Sequence, residues 1–333
     1  MNKVRAVMLA LALTAGVLVF GIYWIAKPRL WPSGGQTVMV KIPKGSTPRR
    51  IAEILHDEKA VRSPVFFLVL ARISGKMSKL RHGTYQLDRD CYRQILAKIS
   101  AGETYRTKVT LPEGWSAYQM GEKLENEGII SDRETFFQWA RKGGHEGMLF
   151  PETYFFETDL SSESAGRMLL NAFEQKFDGR LENRARELKM TRREAVTLAS
   201  IIEREAQIDA ERAVISSVYH NRLKKKWPLE ADPTVQYAIG EGKFWKDRIT
   251  YADLKIDSAY NTYRRRGLPP GPICNPGVKS LEAALFPADT PYLYFVADGK
   301  GAHFFFQRLE EHILKKNELK RAKRLSLQKR AAQ

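Results

Sequence analysis

Cysteine is scarce in this sequence, with two residues among 333. So low a count excludes a scaffold held together by several disulfides and a cysteine-rich metal site. Cys91 and Cys274 lie 183 positions apart, and the sequence leaves open whether they pair.

Acidic residues are also few relative to basic ones: 38 Asp and Glu stand against 55 Lys and Arg, a net charge of +17. A chain this basic favours anionic partners, namely nucleic acid, an anionic membrane surface or an acidic polymer.

The apolar fraction of 43% excludes wholesale disorder. The length suits roughly two domains and a further segment.

Long hydrophobic runs are limited to one of membrane length. Residues 6–26 form 21 positions without a charged side chain, close to the ~20 that cross a bilayer. We predict a transmembrane helix there, after a cytoplasmic N-terminus at 1–5 and before a linker at 27–37, with the remainder exported. The alternative is a cleaved signal peptide, but its apolar core is normally about 7–15 residues long, and the sequence at 25–28 is a poor cleavage site.

An internal repeat follows the linker. A shift of 69 positions aligns nine identical residues in 33, beginning with Val40/Val109, Pro43/Pro112 and Gly45/Gly114 and ending with Arg72/Arg141. Strand and helix patterns in both copies predict a strand–helix–helix–strand module at 38–107 and a second repeat-like segment at 108–145. A unit of this size suits a small carbohydrate-binding module, and equally a structural spacer.

A pair of glutamates ends an apolar helix predicted after the capping-box pattern at 191–194. Glu203 and Glu205 are two positions apart, so they point to nearly opposite sides. One turn before Glu203 the residues are small (Ala199, Ser200), and one turn before Glu205 they are large isoleucines. Small neighbours leave room for a ligand, and an apolar pocket would raise the pKa of Glu203 so that it could act as a general acid. The alternative is that both glutamates pair with arginines, among them Arg193, Arg204 and Arg212.

Several later segments combine polar and aromatic residues with turn formers: 220–223, 232–237, 260–263, 267–272 and 275–277. Loops of this composition on a rigid scaffold suit sugars and other polar ligands. The plainer interpretation is turn chemistry. Asp232-Pro-Thr alone fits a helix start with aspartate as the cap.

Taken in order, six motifs resemble the YceG-like family of endolytic murein transglycosylases. They are Leu198–Glu205, Asn221–Leu223, Asp232–Val235, Tyr260–Tyr263, Gly267–Ile273 and Pro291–Val296. The resemblance extends over nearly the whole chain, including the N-terminal anchor, the segment at 42–45, whose domain is similar to a LysM-type module, and the segments at 149–154 and 301–303.

The resemblance implies an α+β protein with an N-terminal transmembrane helix, LysM-like modules and a mixed α/β catalytic domain at 146–333 with a basic tail. It implies an enzyme that cuts peptidoglycan between N-acetylmuramic acid and N-acetylglucosamine within the strand and leaves a 1,6-anhydro end. The family's catalytic glutamate, taken as the first of the pair, corresponds to Glu203. One carboxyl can serve as acid and then as base, so no metal or organic cofactor is expected.

Residues that match family motifs are candidates for the glycan groove, although each could equally brace its loop. They are Asn221, Asp232, Thr234, Tyr260, Asn261 and Tyr263. One departure is Glu230, which stands where a glutamine is expected and adds a negative charge near the site. No further zinc ligands stand near His303 and His312 in the sequence at the spacing of a zinc site. Surface or hydrogen-bonding roles are therefore favoured for these two histidines.

The partners expected from these features are peptidoglycan glycan strands, the lipid bilayer through residues 6–26, and peptidoglycan synthases, but not nucleic acid, for which no motif is present. The catalytic domain would lie in the periplasm or otherwise outside the cytoplasmic membrane. The basic tail at 315–330 is either a solvated helix end or a site of attraction to anionic lipids or stem-peptide carboxylates. A non-catalytic, membrane-tethered scaffold that binds peptidoglycan is the alternative from another functional class.

Overall fold

A computed structural model describes Met8, Gly16 and residues 36–331. Apart from those two residues, the predicted membrane span at 6–26 lies outside this part of the chain, as does most of the predicted linker. Among the described residues, no helix is both long and apolar enough to cross a bilayer. The mixed α+β class is confirmed: the described residues form twelve helices and three two-stranded sheets. Contacts divide the chain into two units, with the boundary between Thr107 and Lys108.

The first unit is a strand–helix–helix–strand–helix arrangement. Its elements are β1 (Thr37–Ile42), α1 (Pro48–Asp57), α2 (Pro64–Ile73), β2 (Gly83–Asp88) and α3 (Tyr92–Ala101). The strands β1 and β2 are antiparallel, with Val40 opposite Tyr85. Both of these side chains are fully buried, together with Leu55 and Phe67 from the two helices that follow β1. Alternation along the strand and helical spacing therefore direct one apolar set into a common core.

The second unit begins with the other copy of the repeat. Its elements are β3 (Thr107–Thr110), α4 (Ala117–Asn126), α5 (Arg133–Lys142) and β4 (Thr153–Phe156), and β3 pairs with β4. The helix caps recur at the same spacing of 69 residues, since Thr47 and Ser116 cap one pair of helices and Ser63 and Asp132 cap the other. The element order read from the repeat is thus present in both copies, and the likeness to a LysM module stays a prediction.

The rest of the second unit is mainly helical. It consists of α6 (Ser162–Lys176), α7 (Gly179–Glu187), α8 (Arg192–Glu205), α9 (Arg212–Lys224), α10 (Asp232–Gly240), α11 (Val278–Leu285), the hairpin β5 (Tyr294–Ala297) and β6 (His303–Phe306), and α12 (Leu309–Ala331). The predicted helix start at Asp232 is correct, but Ala231 holds the cap position and Pro233 follows in the first turn.

Helix α8 is the centre of this unit. Its capping box forms as predicted, with Thr191 and Glu194 bonding each other's backbone N–H groups. All eight residues from 195 to 202 are buried, and α7, α9, α10 and α11 pack against the helix. Cys274 lies against its backbone, and Cys91 is buried in the first unit, so the two cysteines are unpaired. A helix enclosed on most sides holds its last turn, and the two glutamates there, in a fixed orientation.

Candidate active site

Glu203 lies in an ion pair rather than in the apolar pocket expected from its small neighbours. Its Oε1 accepts a hydrogen bond from Nη1 of Arg212 at 3.3 Å, and its Oε2 accepts one from the backbone N–H of Gly277 at 3.0 Å. The side chains of Glu203 and Arg212 are 7% and 9% exposed. The expectation of apolar surroundings was wrong, because α9 and the start of α11 bring charge and backbone donors to this side of α8. The stated alternative, that both glutamates pair with arginines, holds for Glu203, whereas Glu205 accepts a hydrogen bond from Tyr219.

Arg212 is itself held by further partners. Its Nε donates to Asp209 at 3.1 Å, and its Nη1 also donates to the hydroxyl of Ser280. Glu113 lies near the same cluster, where burial and the negative charge of Glu203 raise its pKa. The side of α8 that carries Glu203 is therefore a buried polar junction that connects α8, α9 and α11.

Glu205 faces the other side of the helix and lines a cleft of about 500 Å³. Its Oε1 accepts a hydrogen bond from the hydroxyl of Tyr219 at 3.1 Å. Burial raises the pKa of Glu205 to about 7, and the negative charge of Asp232 adds to the rise. A carboxyl group with this pKa can hold a proton near neutral pH and release it to a substrate, as a general acid must.

Two of the predicted binding residues line this cleft. Asp232 is exposed at the start of α10, and its Oδ1 accepts a hydrogen bond from the Tyr263 hydroxyl at 2.6 Å. Carboxyl groups of unequal burial in one cleft can take different protonation roles, and here Glu205 is partly buried and Asp232 is exposed. The arrangement offers a proton donor, an anionic wall and aromatic hydroxyls to a polar ligand.

Glu230 and Arg222 form one edge of the cleft. Glu230 has a φ of +54° and pairs with the nearly buried guanidinium of Arg222, whose Nη1 lies 2.8 Å from its Oε2. The same nitrogen donates to the backbone carbonyl of Leu229 at 3.0 Å. The glutamate that departs from the expected glutamine thus has a counter-charge. His303 also lines the cleft and pairs through Nδ1 with Glu211 at 2.8 Å, which agrees with a hydrogen-bonding role.

The other four predicted binding residues lie outside the cleft. Asn221 donates its amide N–H to two backbone carbonyls before β5, at 2.8 and 3.0 Å. Asn261 likewise donates to two carbonyls just upstream, at 3.0 and 2.8 Å, and the hydroxyl of buried Thr234 lies 2.8 Å from that of Thr262. These three residues brace their loops, while Tyr260 lines a different cavity.

The sequence interpretation missed Glu205 as a partly buried carboxyl group that lines the cleft and Tyr219 as its hydrogen-bond donor. A signal for Glu205 was present, because it continues the stripe of Leu198, Ile201 and Ile202 at positions i, i+3, i+4 and i+7. A residue on that stripe faces the protein interior. No local pattern marks Tyr219, which lies on the next helix. Among the described residues, no three His, Cys, Asp or Glu side chains come together as metal ligands.

Comparison with known proteins places these features in a family. The profile of the YceG-like family matches residues 40–318. A protein from Bacillus subtilis (strain 168) named endolytic murein transglycosylase is 35% identical over 329 residues, covering 89% of this chain and 89% of that protein. Two proteins of the same name from Streptococcus pneumoniae are 27% identical over 318 residues, covering 83% of this chain and 57% of theirs.

A solved structure is also similar. The 2.6 Å crystal structure of a YceG-like protein from Listeria monocytogenes has a TM-score of 0.54 and 32% sequence identity to this chain, and the match covers 83% of this chain and 97% of that one. Since the family profile spans most of the sequence and a relative is 35% identical over nearly its full length, this chain belongs to the YceG-like family.

Proposed function

We propose that this protein is an endolytic murein transglycosylase in which Glu205 is the general acid. The observation that carries the assignment is the burial of Glu205 beside a polar cleft, with its pKa raised to about 7. The name of the relatives supports the reaction class. The motif pointed to Glu203 instead. We assign Glu205 because both carboxylate oxygens of Glu203 already accept hydrogen bonds, one from Arg212 and one from the backbone N–H of Gly277.

The proposed reaction uses one carboxyl group twice. Protonated Glu205 donates its proton to the glycosidic oxygen between N-acetylmuramic acid and N-acetylglucosamine as that bond breaks. The C6 hydroxyl of the muramic acid then attacks its own C1, and the Glu205 carboxylate accepts the hydroxyl proton, which closes the 1,6-anhydro ring and restores the acid. A hydrolase would instead need a second carboxylate to activate water or to form a covalent adduct. Tyr219 orients the acid, and Asp232 and Tyr263 offer contacts to the sugar.

The rate of cleavage is expected to depend on the protonation of Glu205. Above a pH of about 7, the protonated fraction and with it kcat/KM should fall about tenfold for each pH unit. The hydrogen bond from Tyr219 favours the charged carboxylate and lowers its pKa, so Tyr219→Phe should move the fall to higher pH. Initial rates of glycan cleavage by both proteins across pH 5 to 9 test this, and an unmoved profile would contradict the role of Tyr219.

The location and biological role belong to the same proposal. Residues 6–26 would anchor the protein in the cytoplasmic membrane and place the catalytic domain on its outer side, in the periplasm where there is one. The module at 38–107 would bind glycan in the manner of LysM modules, and cleavage would terminate nascent strands beside peptidoglycan synthases. The absence of charge in 6–26 supports the anchor, and the name of the relatives supports a role in peptidoglycan.

Product analysis separates the proposed enzyme from a non-catalytic scaffold. Purified protein incubated with sacculi or nascent glycan strands should release fragments with 1,6-anhydro-muramyl ends from within the strands, as identified by mass spectrometry. Products with reducing ends would indicate a hydrolase. Binding to sacculi with no products at all would favour the scaffold.

A further inference from the structure

Another cavity in the second unit, of about 150 Å³, has no part in the proposed reaction. Its lining includes Arg141, Glu146, Arg193, Tyr237, Ala238 and Tyr260. Arg193 lies in the first turn of α8 and Glu205 at its end, twelve residues and about 18 Å along the axis apart. The cavity is therefore a place distinct from the cleft.

Two tyrosines supply the aromatic wall of the cavity. The rings of Tyr237 and Tyr260 lie with their centroids 4.8 Å apart at 45°. Both side chains are partly buried and line the cavity. A tyrosine combines an apolar ring with a hydroxyl that can donate or accept a hydrogen bond. Two such side chains beside an open space are suited to a ligand that has both a flat apolar face and hydrogen-bonding groups.

A partly buried acid supplies a further polar group. Glu146 accepts hydrogen bonds from the backbone N–H of Ala117 at 3.0 Å and from the amide of Asn275 at 3.1 Å, both on Oε1. Its Oε2 also contacts the Ala117 N–H, at 3.3 Å, and the backbone N–H of Gly147 donates to the same carboxyl group. Burial nevertheless raises the pKa of Glu146 to about 7, which favours the uncharged form of this group near neutral pH.

The cations that line the cavity are already engaged. Arg193 donates through Nε to the carbonyl of Pro270 at 3.1 Å and through Nη1 to that of Gly144 at 3.3 Å. Arg141 pairs with Glu241 at 2.9 Å. With these guanidinium donors bonded to protein groups, the lining suits an uncharged polar ligand better than an anion. A cavity of about 150 Å³ holds a single six-membered ring.

We propose that this cavity binds one N-acetylated sugar residue of the glycan, as a second carbohydrate site apart from the cleft. The inference rests on the proposed function, which makes glycan the substrate. A pyranose offers a flat face to the tyrosine rings and hydroxyl and amide groups to the two phenols and to Glu146. The cleft and the cavity are lined by the same two segments. Helix α10 contributes Asp232 to the cleft and Tyr237 to the cavity, and one loop contributes Tyr263 to the cleft and Tyr260 to the cavity. A sugar held in the cavity therefore fixes the segments that line the cleft.

Two alanines allow the sites to be observed separately. Ala238 lines the cavity and Ala297 lines the cleft, so ¹³C-methyl-alanine labelling of the full chain gives each site its own NMR signal. The protein would carry Glu205→Gln to prevent turnover, and N-acetylglucosamine is the probe. We expect the Ala238 methyl signal to shift with a saturable curve. The double variant Tyr237→Phe/Tyr260→Phe should weaken that binding about tenfold or more, because two hydrogen bonds are lost and both rings remain.

The matched control is Tyr263→Phe, which removes a hydroxyl from the cleft and should leave the Ala238 curve unchanged. An Ala238 signal that does not move, or that moves equally in the double variant, would overturn the inference. Release of anhydro products by the wild type without an Ala238 response would refute the cavity site and leave the proposed function standing. A saturable Ala238 response in the Glu205→Gln protein, together with a wild type that cleaves no glycan, would support the site and refute the proposed function.

Discussion

Replacing Glu205 by glutamine is expected to lower glycan cleavage by about 10²–10⁴-fold, the range typical for the loss of a general acid–base group. Glutamine has the same shape and keeps an oxygen that can accept the hydrogen bond from Tyr219. It cannot donate a proton to the glycosidic oxygen or accept one from the C6 hydroxyl. The measurement is the rate at which anhydro-muramyl products appear, with circular dichroism to establish that the variant is folded.

Glu203→Gln is the matched control, since it makes the same change two residues away on the same helix. Glutamine at 203 can still accept from Gly277 but loses the ion pair with Arg212. We therefore expect lower stability and retained cleavage per folded molecule. Abolished cleavage in a stable Glu203→Gln protein, together with an active Glu205→Gln protein, would return the catalytic role to the first glutamate.

The two variants should change stability in opposite directions. Glu203→Gln should lower it, whereas Glu205→Gln should raise it at high pH. The pKa of Glu205 is about 7 in the folded protein and 4.5 as the unperturbed value. Its contribution to stability is then fully present below pH 4.5 and is lost as the pH rises through 7. Glutamine does not ionise, so at pH 8 Glu205→Gln should unfold at a higher temperature than the wild type. The difference should shrink as the pH falls toward 4.5.

Removing the partner of Glu203 is expected to have the largest effect on stability. Arg212→Met would leave the carboxylate of Glu203, whose side chain is 7% exposed, buried without a counter-charge. Breaking a buried pair in this way costs about 3–5 kcal/mol of unfolding free energy. Urea unfolding followed by circular dichroism measures the change. Arg167→Met, which breaks an exposed pair with Glu163, is the control and should cost about 0–1 kcal/mol.

A double variant tests whether the loss arises from the pair itself. Combining Arg212→Met with Glu203→Gln removes the stranded charge, so the double variant should be more stable than the sum of the two single losses predicts. Simple additivity, or a loss below about 1 kcal/mol for Arg212→Met alone, would show that the two side chains are not coupled as the geometry implies.

Features with a local cause could be predicted from the sequence. The capping box at Thr191 and Glu194 depends on residues three apart, and it formed where expected. The repeat extended even to its caps, because a side chain that bonds the backbone three residues later needs no distant partner.

Features that depend on distant partners could not be predicted. The expectation for Glu203 uses small and large neighbours on one helix, whereas the proposal of Glu205 depends on Arg212 and Gly277, which reach Glu203 from other segments. Asn221 carries a side chain suited to sugars, yet the backbone before β5, about seventy residues later, takes up its donor. Contacts between distant segments determine which polar side chains remain available to a ligand, and a single sequence does not show those contacts.

The two glutamates at the end of α8 also affect how mutational surveys of this protein should be interpreted. A screen that scores only cell survival or total activity would count both positions as essential, one because the enzyme loses its acid and the other because too little of the chain folds. Recording the amount of soluble protein beside each activity distinguishes these causes. Only the position whose loss leaves abundance untouched belongs to the chemistry.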